Sequence, residues 1–415
     1  MSLELLPRAA PGWRAPDSLV VLAVWALLSL QQLAVSLSRP KRWTPITEGA
    51  QEVPVWAATL TTATNGAVLL VALVVLVLRW RSLPWGQWPL LALALVPWAV
   101  VVARLVVLDR PPGPLALVYP AIVVALWAAR PRLEVVEILG YLTVVTALLS
   151  IALGALVPWA GIYERAEGAE LEKPVGPFGV LAGIMLSGND LALVLVLGLP
   201  AVLVIRRLSL RVGGLVVLGL ALVWSASRTA WGAAVLVVVV ALVLRFARGT
   251  LAARLSAVGL AGLGLLVLAL PWLVSAPSAF NNRGALWQFS RERFAQEPWL
   301  GWGADIFKLV ATTEDNLGGH ASHAHNLAAQ VLVSGGVLLV VATAALLVLA
   351  AVRAVRDVAR GWAWGVLFLA ALLVMSSLEV PFVTTDRIRL LPAVAVPLLV
   401  LVLAQRPSSS SSSAE

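Results

Sequence analysis

Apolar residues do not alternate with polar ones along most of this chain; they continue in unbroken runs. Leu69–Leu78 and Val235–Leu244 are apolar at every position. The strands of a membrane barrel would alternate over about ten residues, so these runs predict α-helices that are hydrophobic on all faces. Crossing a bilayer takes roughly 20 such residues. Stretches that qualify lie near 18–38, 55–78, 88–108, 114–129, 133–158, 178–205, 212–226, 229–245, 255–275, 325–352, 361–378 and 388–404. The expected architecture is an all-α polytopic membrane protein of about twelve transmembrane helices. Residues 1–407 would form a single transmembrane domain.

The polar positions between these runs set an orientation. Arg79/Arg81, Arg130/Arg132, Arg206/Arg207/Arg211, Arg245/Arg248/Arg254 and Arg353/Arg356/Arg360 occupy every second connection. The positive-inside rule puts those connections, and both termini, in the cytoplasm. Arg39, Lys41 and Arg42 dissent, because they would then lie outside. The other outward connections hold most of the remaining polar chemistry. Two are long: 159–177, which is acidic, and 276–324, which precedes the tenth span. Long connections of this kind are usually functional. The first apolar stretch is longer than a cleaved signal's core and reads as an uncleaved anchor. Ser408–Ser413 is low-complexity, so 408–415 is expected to be a disordered tail.

Composition narrows the class. Of the 415 residues, 60% are hydrophobic and 12% charged, and mean hydropathy is +0.94. A soluble domain carries roughly 25% charged residues, so lipid must solvate most of this surface. The net charge of +9 sits in short loops between spans and gives no reason to expect nucleic acid. The absence of cysteine excludes disulfides and thiolate metal sites. Eighteen tryptophans suit aromatic belts at the two membrane surfaces.

Three groups of residues stand out chemically. All three histidines, His320, His323 and His325, fall within six positions where the long outer connection enters the tenth span. Imidazole titrates near neutral pH and suits general-base work. The same segment also reads as a polar helix entry capped by Ser322 or Asn326, or as metal ligands together with Glu314 or Asp315, although no HExxH-type spacing is present. Arginines form the second group: Arg228 at an outward junction of two spans, Arg283 in Asn-Asn-Arg-Gly, and Arg291 and Arg293 on an expected helix that also carries Trp287, Phe289 and Phe294. An arginine at membrane depth is costly, and its guanidinium fork fits phosphate oxygens. Arg228 also reads as a snorkelling or paired structural arginine, and Arg291 and Arg293 as interfacial or solvated. The third group is Gly188-Asn189-Asp190 inside the sixth span, which predicts an interrupted helix lining a cavity or a helix–helix contact. Arg104, near the outer end of the third span, is one candidate partner for Asp190. The chain has no Walker loop and no paired-aspartate motif for a sugar nucleotide.

Taken together, Gly188-Asn189-Asp190-Leu191-Ala192, Ser227-Arg228-Thr229, and the run from Asn281-Asn282-Arg283 through Pro298-Trp299-Leu300-Gly301-Trp302-Gly303 to His323-Ala324-His325-Asn326 and Gly335-Gly336 resemble the bacterial O-antigen ligase and O-antigen polymerase family. The likeness covers about 180–340. It implies a GT-C-like helical fold in the bacterial cytoplasmic (inner) membrane, with a periplasmic loop over the active site. It further implies a glycan donor on undecaprenyl pyrophosphate, and a lipid A–core or other surface glycan as acceptor. By the same resemblance Arg228 and Arg283 bind the donor pyrophosphate and His325 is the catalytic base. His323, Asn326, Arg291, Arg293, Arg387, Asn189 and Asp190 are candidates for supporting roles beside them. No cofactor and no metal are expected, and transfer would invert the anomeric centre. Ligase activity is the first expectation and polymerase activity the second; a lipid-linked sugar transporter or flippase is the reading from another class. The lack of a sizeable soluble extension after the last span argues against protein-glycosylating relatives.

Overall fold

In the computed structural model, residues 16–42, 53–164, 179–310, 322–385 and 388–406 are described. The first half contains α1 (Pro16–Ser36), α2 (Val55–Arg79), α3 (Trp88–Val107), α4 (Val118–Ala129), α5 (Val135–Leu156) and the single turn α6 (Pro158–Gly161). Next come α7 (Gly188–Leu203), α8 (Leu208–Trp224), α9 (Arg228–Phe246) and α10 (Gly249–Leu273). After these lie α11 (Ala279–Gln296), α12 (Ile306–Val310), α13 (Leu327–Ala359), α14 (Trp364–Leu378) and α15 (Leu391–Leu403). Three short strands, β1 (Lys41–Arg42), β2 (Ile162–Glu164) and β3 (Val180–Leu181), form one sheet in that order.

Seven helices are long and apolar enough to cross a membrane: α1, α2, α3, α5, α9, α10 and α13. The other five stretches expected to span fold as apolar helices of 10–17 residues, at Pro114–Ala129, Gly188–Leu203, Leu208–Trp224, Trp364–Leu378 and Ile388–Leu403. Four of these short helices (α4, α7, α14 and α15) are buried on nearly every face. Apolar runs hydrophobic all round are what a helix inside a bundle requires. The longer helices turn apolar side chains outward, as at Leu70, Leu73 and Val77 on α2 and Val235 and Val238 on α9. Such surface is stable only against lipid, so the chain is a multi-pass membrane protein.

Close helix contacts rest on small residues. A Cβ at Gly140 of α5 would lie 2.4 Å from the Ala201 carbonyl oxygen of α7, and one at Gly198 would lie 2.2 Å from Thr143 Oγ1. Only glycine lets these two backbones approach so closely.

Separate polar networks tie the two ends of the bundle. At the arginine-rich end, Arg406 binds Asp357, Arg206 lies 3.5 Å from Glu137, and Gln405 pairs with the Arg132 segment. Trp80, Trp85 and Trp88 are exposed there, while Trp56, Trp272 and Trp299 are exposed towards the other end, in keeping with two belts. One of the three dissenting cations, Lys41, is drawn into the fold. β1 pairs with β2, so the connection after α1 shares a face with the one after α5. Lys41 is buried, its Nζ donates to the Gly183 carbonyl, and burial pulls its pKa down to about 7.

Of the long outward connections, the described part of 276–324 is largely helical, holding α11 and α12. In the other, Ile162–Glu164 forms β2. Residues 165–178, 311–321 and 407–415 lie outside the described residues, and with them His320, Glu314, Asp315 and the serine tail.

Candidate functional site

Four helix ends meet at the face opposite the arginine-rich connections. α14 stops at Glu379, whose extended backbone (φ −142°, ψ 172°) turns the chain away from the helix. α13 starts at Asn326, whose side chain accepts the Ala329 N–H at 2.9 Å. The same Asn326 amide donates to the carbonyls of Val267 on α10 and Ser377 on α14, both at 3.1 Å. This residue is therefore the helix cap that the sequence suggested, and it also locks three helices together. α7 starts at Ser187, which accepts the Asp190 N–H at 3.1 Å.

α11 enters through an unusual backbone. Phe280, Asn281 and Asn282 are all left-handed, with φ of 53°, 59° and 65°. Asparagine tolerates that region, but three consecutive non-glycine residues there cost roughly 1–3 kcal/mol each. The turn delivers Arg283 directly onto the end of α14. Arg283 Nη2 donates to Glu379 Oε1 at 2.9 Å, and Nη1 donates to the Leu378 carbonyl.

Glu379 is the hub of the cluster. Its Oε1 receives Arg283 and, at 3.4 Å, the Asn189 amide. Its Oε2 lies 3.2 Å from His325 Nδ1 and 3.6 Å from His323 Nε2. The two imidazole rings stand 3.9 Å apart, tilted by 34°, and His323 Nδ1 meets the Ser322 hydroxyl at 2.7 Å. Burial by itself would raise the Glu379 carboxyl, but His325, the nearby His323 and Arg283 together hold it well below the usual carboxylate range. It is an ionised carboxylate.

The histidine segment is fixed by its backbone. Ala324 N–H donates to Gln330 Oε1 at 2.9 Å, and its carbonyl accepts the buried Trp287 indole N–H at 2.9 Å. His325 itself is left-handed, with φ 51°. Strain of this kind persists only where the surroundings over-determine it, and it collects at functional sites.

The glycine-rich stretch before the histidines serves this placement. α13 is broken at Gly336 (φ 59°), and the segment from Pro298 to Gly303 fills the break. Trp302 and Gly303 donate to the carbonyls of Val333 and Ser334, while Val337 and Leu338 donate back to Pro298 and Trp299. A Cβ at Gly301 would fall 2.6 Å from the Val333 oxygen, and one at Gly336 would fall 2.4 Å from the Trp299 carbonyl carbon. From α3, Arg104 donates to the Gly301 carbonyl at 2.7 Å and lies 3.8 Å from Glu297.

That contact corrects one expectation. The partner of Asp190 is Arg389, whose Nε donates to Asp190 Oδ2 at 3.2 Å, and Arg104 is engaged elsewhere. Sequence had no means of choosing between two arginines on distant helices.

The other residues singled out divide into two sets. Arg283, His323, His325 and Asn189 meet at Glu379. Arg228 is the first residue of α9, exposed, with no hydrogen bond or ion pair among the described residues. It borders the cluster through the turn before it: a Cβ on Gly188, next to Asn189, would lie 2.8 Å from the Ser225 oxygen. Arg291 donates to the Pro271 and Val274 carbonyls and so closes the end of α10. Arg293 lies over the rings of Phe289 and Trp302, at 5.2 and 5.3 Å. Neither guanidinium is among the partners of Glu379. Arg387 lies outside the described residues.

Sequence reasoning missed Glu379 altogether. The available signal was an acid at the outward end of an otherwise apolar span, where an ionisable group is expensive.

Chemically, the cluster couples an imidazole to a buried carboxylate. The carboxylate accepts the Nδ1 proton of His325, which fixes the tautomer and leaves Nε2 as the basic nitrogen. His323, His325 and Glu379 also offer three ligand atoms within 4.8 Å of one another. The same carboxylate also carries the Arg283 guanidinium.

Residues 213–344 match the family model of the O-Antigen ligase domain, Wzy_C. The match includes Arg228, Arg283, His323, His325 and Asn326, and bears out the resemblance to the O-antigen ligase and polymerase family. No curated protein matches the chain.

Proposed function

Starting from an O-antigen ligase domain carried by a multi-pass membrane protein, we propose that the chain transfers a glycan from undecaprenyl pyrophosphate to a sugar hydroxyl at the periplasmic face of the bacterial cytoplasmic membrane. The observation that carries this reading is Glu379 joining His325 to Arg283. One carboxylate orients a base and steadies a phosphate-binding cation, which are the two halves of a glycosyl transfer from a pyrophosphate.

In the proposed step, His325 Nε2 takes the proton of the acceptor hydroxyl as its oxygen attacks the anomeric carbon. The bond from that carbon to the pyrophosphate oxygen breaks, and its electron pair leaves on the pyrophosphate. In-line attack inverts the anomeric centre. Arg283 and Arg228 receive the developing charge. A guanidinium has five N–H donors; Arg283 spends one on Glu379 and one on Leu378, and the rest can face phosphate. Arg228 brings its fork uncommitted. Metal is not needed when fixed cations supply this stabilisation. Twelve passes through a single domain of residues 1–407 would put every arginine-rich connection in the cytoplasm.

Lipid A–core is the proposed acceptor, and extension of the glycan on its own carrier is the second reading. The gathering of the polar cluster at one end of the bundle disfavours a transporter, whose site lies near the midplane. Deleting the gene and analysing surface polysaccharide tests the reading. Loss of attachment with chain length intact supports a ligase, and loss of chain length supports a polymerase. Unchanged polysaccharide, or loss that His325→Ala restores as well as wild type, would overturn it.

A further inference from the structure

The far end of α13 opens onto a second polar site, remote from the first. Beyond its break at Gly336, α13 continues to Ala359, roughly 35 Å at about 1.5 Å per residue, and its last turns border a cavity of about 400 Å³. Five arginines line the cavity: Arg130, Arg353, Arg356, Arg360 and Arg406. They come from three separate places in the chain, namely the end of α4, the end of α13 and the segment after α15.

The acid beside them is already committed. Asp357 is buried and held by Arg406 through Nε and Nη2, each at 2.9 Å, with Arg360 at 3.8 Å. Arg353 donates to the Val402 carbonyl. Arg130 reaches the cavity from a left-handed residue (φ 50°), and its Nε is buried with no hydrogen-bond partner among the described residues. Setting membrane orientation requires only that arginines sit in the connections. It does not require three segments to converge on one cavity.

We propose that this cavity binds a phosphate-bearing anion. Guanidinium forks match phosphate oxygens in geometry, and a dianion would relieve the repulsion among like charges gathered at a low-dielectric surface. Two sources share this chemistry: the headgroup of an anionic phospholipid, which basic pockets between membrane helices commonly hold, and a soluble phosphate.

The test uses the full-length protein in detergent, with lipid retention read by native mass spectrometry and thermal unfolding followed alongside. Cardiolipin and phosphatidylcholine are the lipid probes and inorganic phosphate the soluble one. R130Q/R356Q is the cavity variant, R356Q/R360Q replaces two exposed side chains in case the first folds poorly, and R248Q/R254Q removes equal charge from another arginine-rich connection. Cardiolipin should be retained and should raise the unfolding midpoint where phosphatidylcholine does not. Each cavity variant should bind it on the order of tenfold more weakly or worse, with R248Q/R254Q unchanged. Saturable stabilisation by phosphate but not by cardiolipin, lost in the same variants, would assign the soluble source. Equal loss in the cavity and control variants would reduce the effect to general charge and overturn the proposal, as would binding of neither probe.

Discussion

Glu379 Oε2 and His325 Nδ1 stand 3.2 Å apart although 54 residues separate them in the chain. The carboxylate arrives on the end of α14 and the imidazole on the approach to α13, and Asn326 binds those two elements to each other. The dyad is thus a product of helix packing, and its geometry depends on Asn326 as well as on its own two side chains.

Glu379→Gln should slow transfer by roughly 10²–10⁴-fold, because the amide can present its N–H to Nδ1 and leave the wrong tautomer. Donor affinity should change less. Glu379→Ala should also unfold more readily, since removing one partner of a buried ion pair costs about 3–5 kcal/mol. The folded pKa of Glu379 is depressed, so its stabilisation is present above the unfolded value of about 4.3 and fades as pH falls through the lower folded value. The difference in melting midpoint between wild type and Glu379→Gln should therefore be largest near neutral pH and shrink in acid. A difference that grows on acidification would contradict the assignment.

His325→Ala should abolish transfer while leaving donor binding largely intact, because a base acts on the acceptor's proton. Single-turnover rates with a lipid-linked donor in nanodiscs, alongside donor affinity, separate the two effects. Near-normal turnover would remove the histidine from the mechanism.

Arg228→Ala and Arg283→Ala should weaken donor binding and slow transfer together, with lysine rescuing only partly for lack of the bidentate fork. The two should differ in stability. Arg283 is committed to Glu379 and Leu378, whereas Arg228 is exposed. Arg283→Ala should lower the melting midpoint and Arg228→Ala should leave it nearly unchanged. If neither variant alters donor affinity or rate, the pyrophosphate lies elsewhere.

Transfer by the purified protein should persist in excess EDTA. Complete loss restored by a divalent ion would make His323, His325 and Glu379 ligands instead of a proton relay.

Topology can be checked without background, since the chain has no native cysteine. Gln296→Cys should react with an impermeant maleimide from outside intact spheroplasts and Ala359→Cys only after permeabilisation. The reverse pattern would invert the orientation.

Much of this arrangement was legible in the chain. Unbroken apolar runs left the helix as the only backbone for most of the bundle, and Arg283, His323 and His325 stood out as polar groups where lipid-facing chains rarely keep them. What stayed hidden depended on which helix lies beside which. Asp190 sits beside Arg389 and not Arg104, and no spacing rule encodes that choice. Glu379 lacked a motif of its own, being one of 21 acids, and took on meaning only when α11 and α13 were folded against it. Apolar length predicted twelve spans, but it cannot separate a lipid-exposed helix from a shorter one enclosed by neighbours, and five of the twelve are shorter than a full crossing.

Residues 213–344, which carry the family match, stop short of Glu379 and begin after Asn189. The recognisable domain is for that reason not a transplantable module. A chimera that exchanged this stretch between two relatives would pair a borrowed histidine with a host carboxylate, and it would work only where α7 and α14 present Asn189 and Glu379 at the same depth. Recombination within this architecture is constrained to breakpoints that keep four helix ends together.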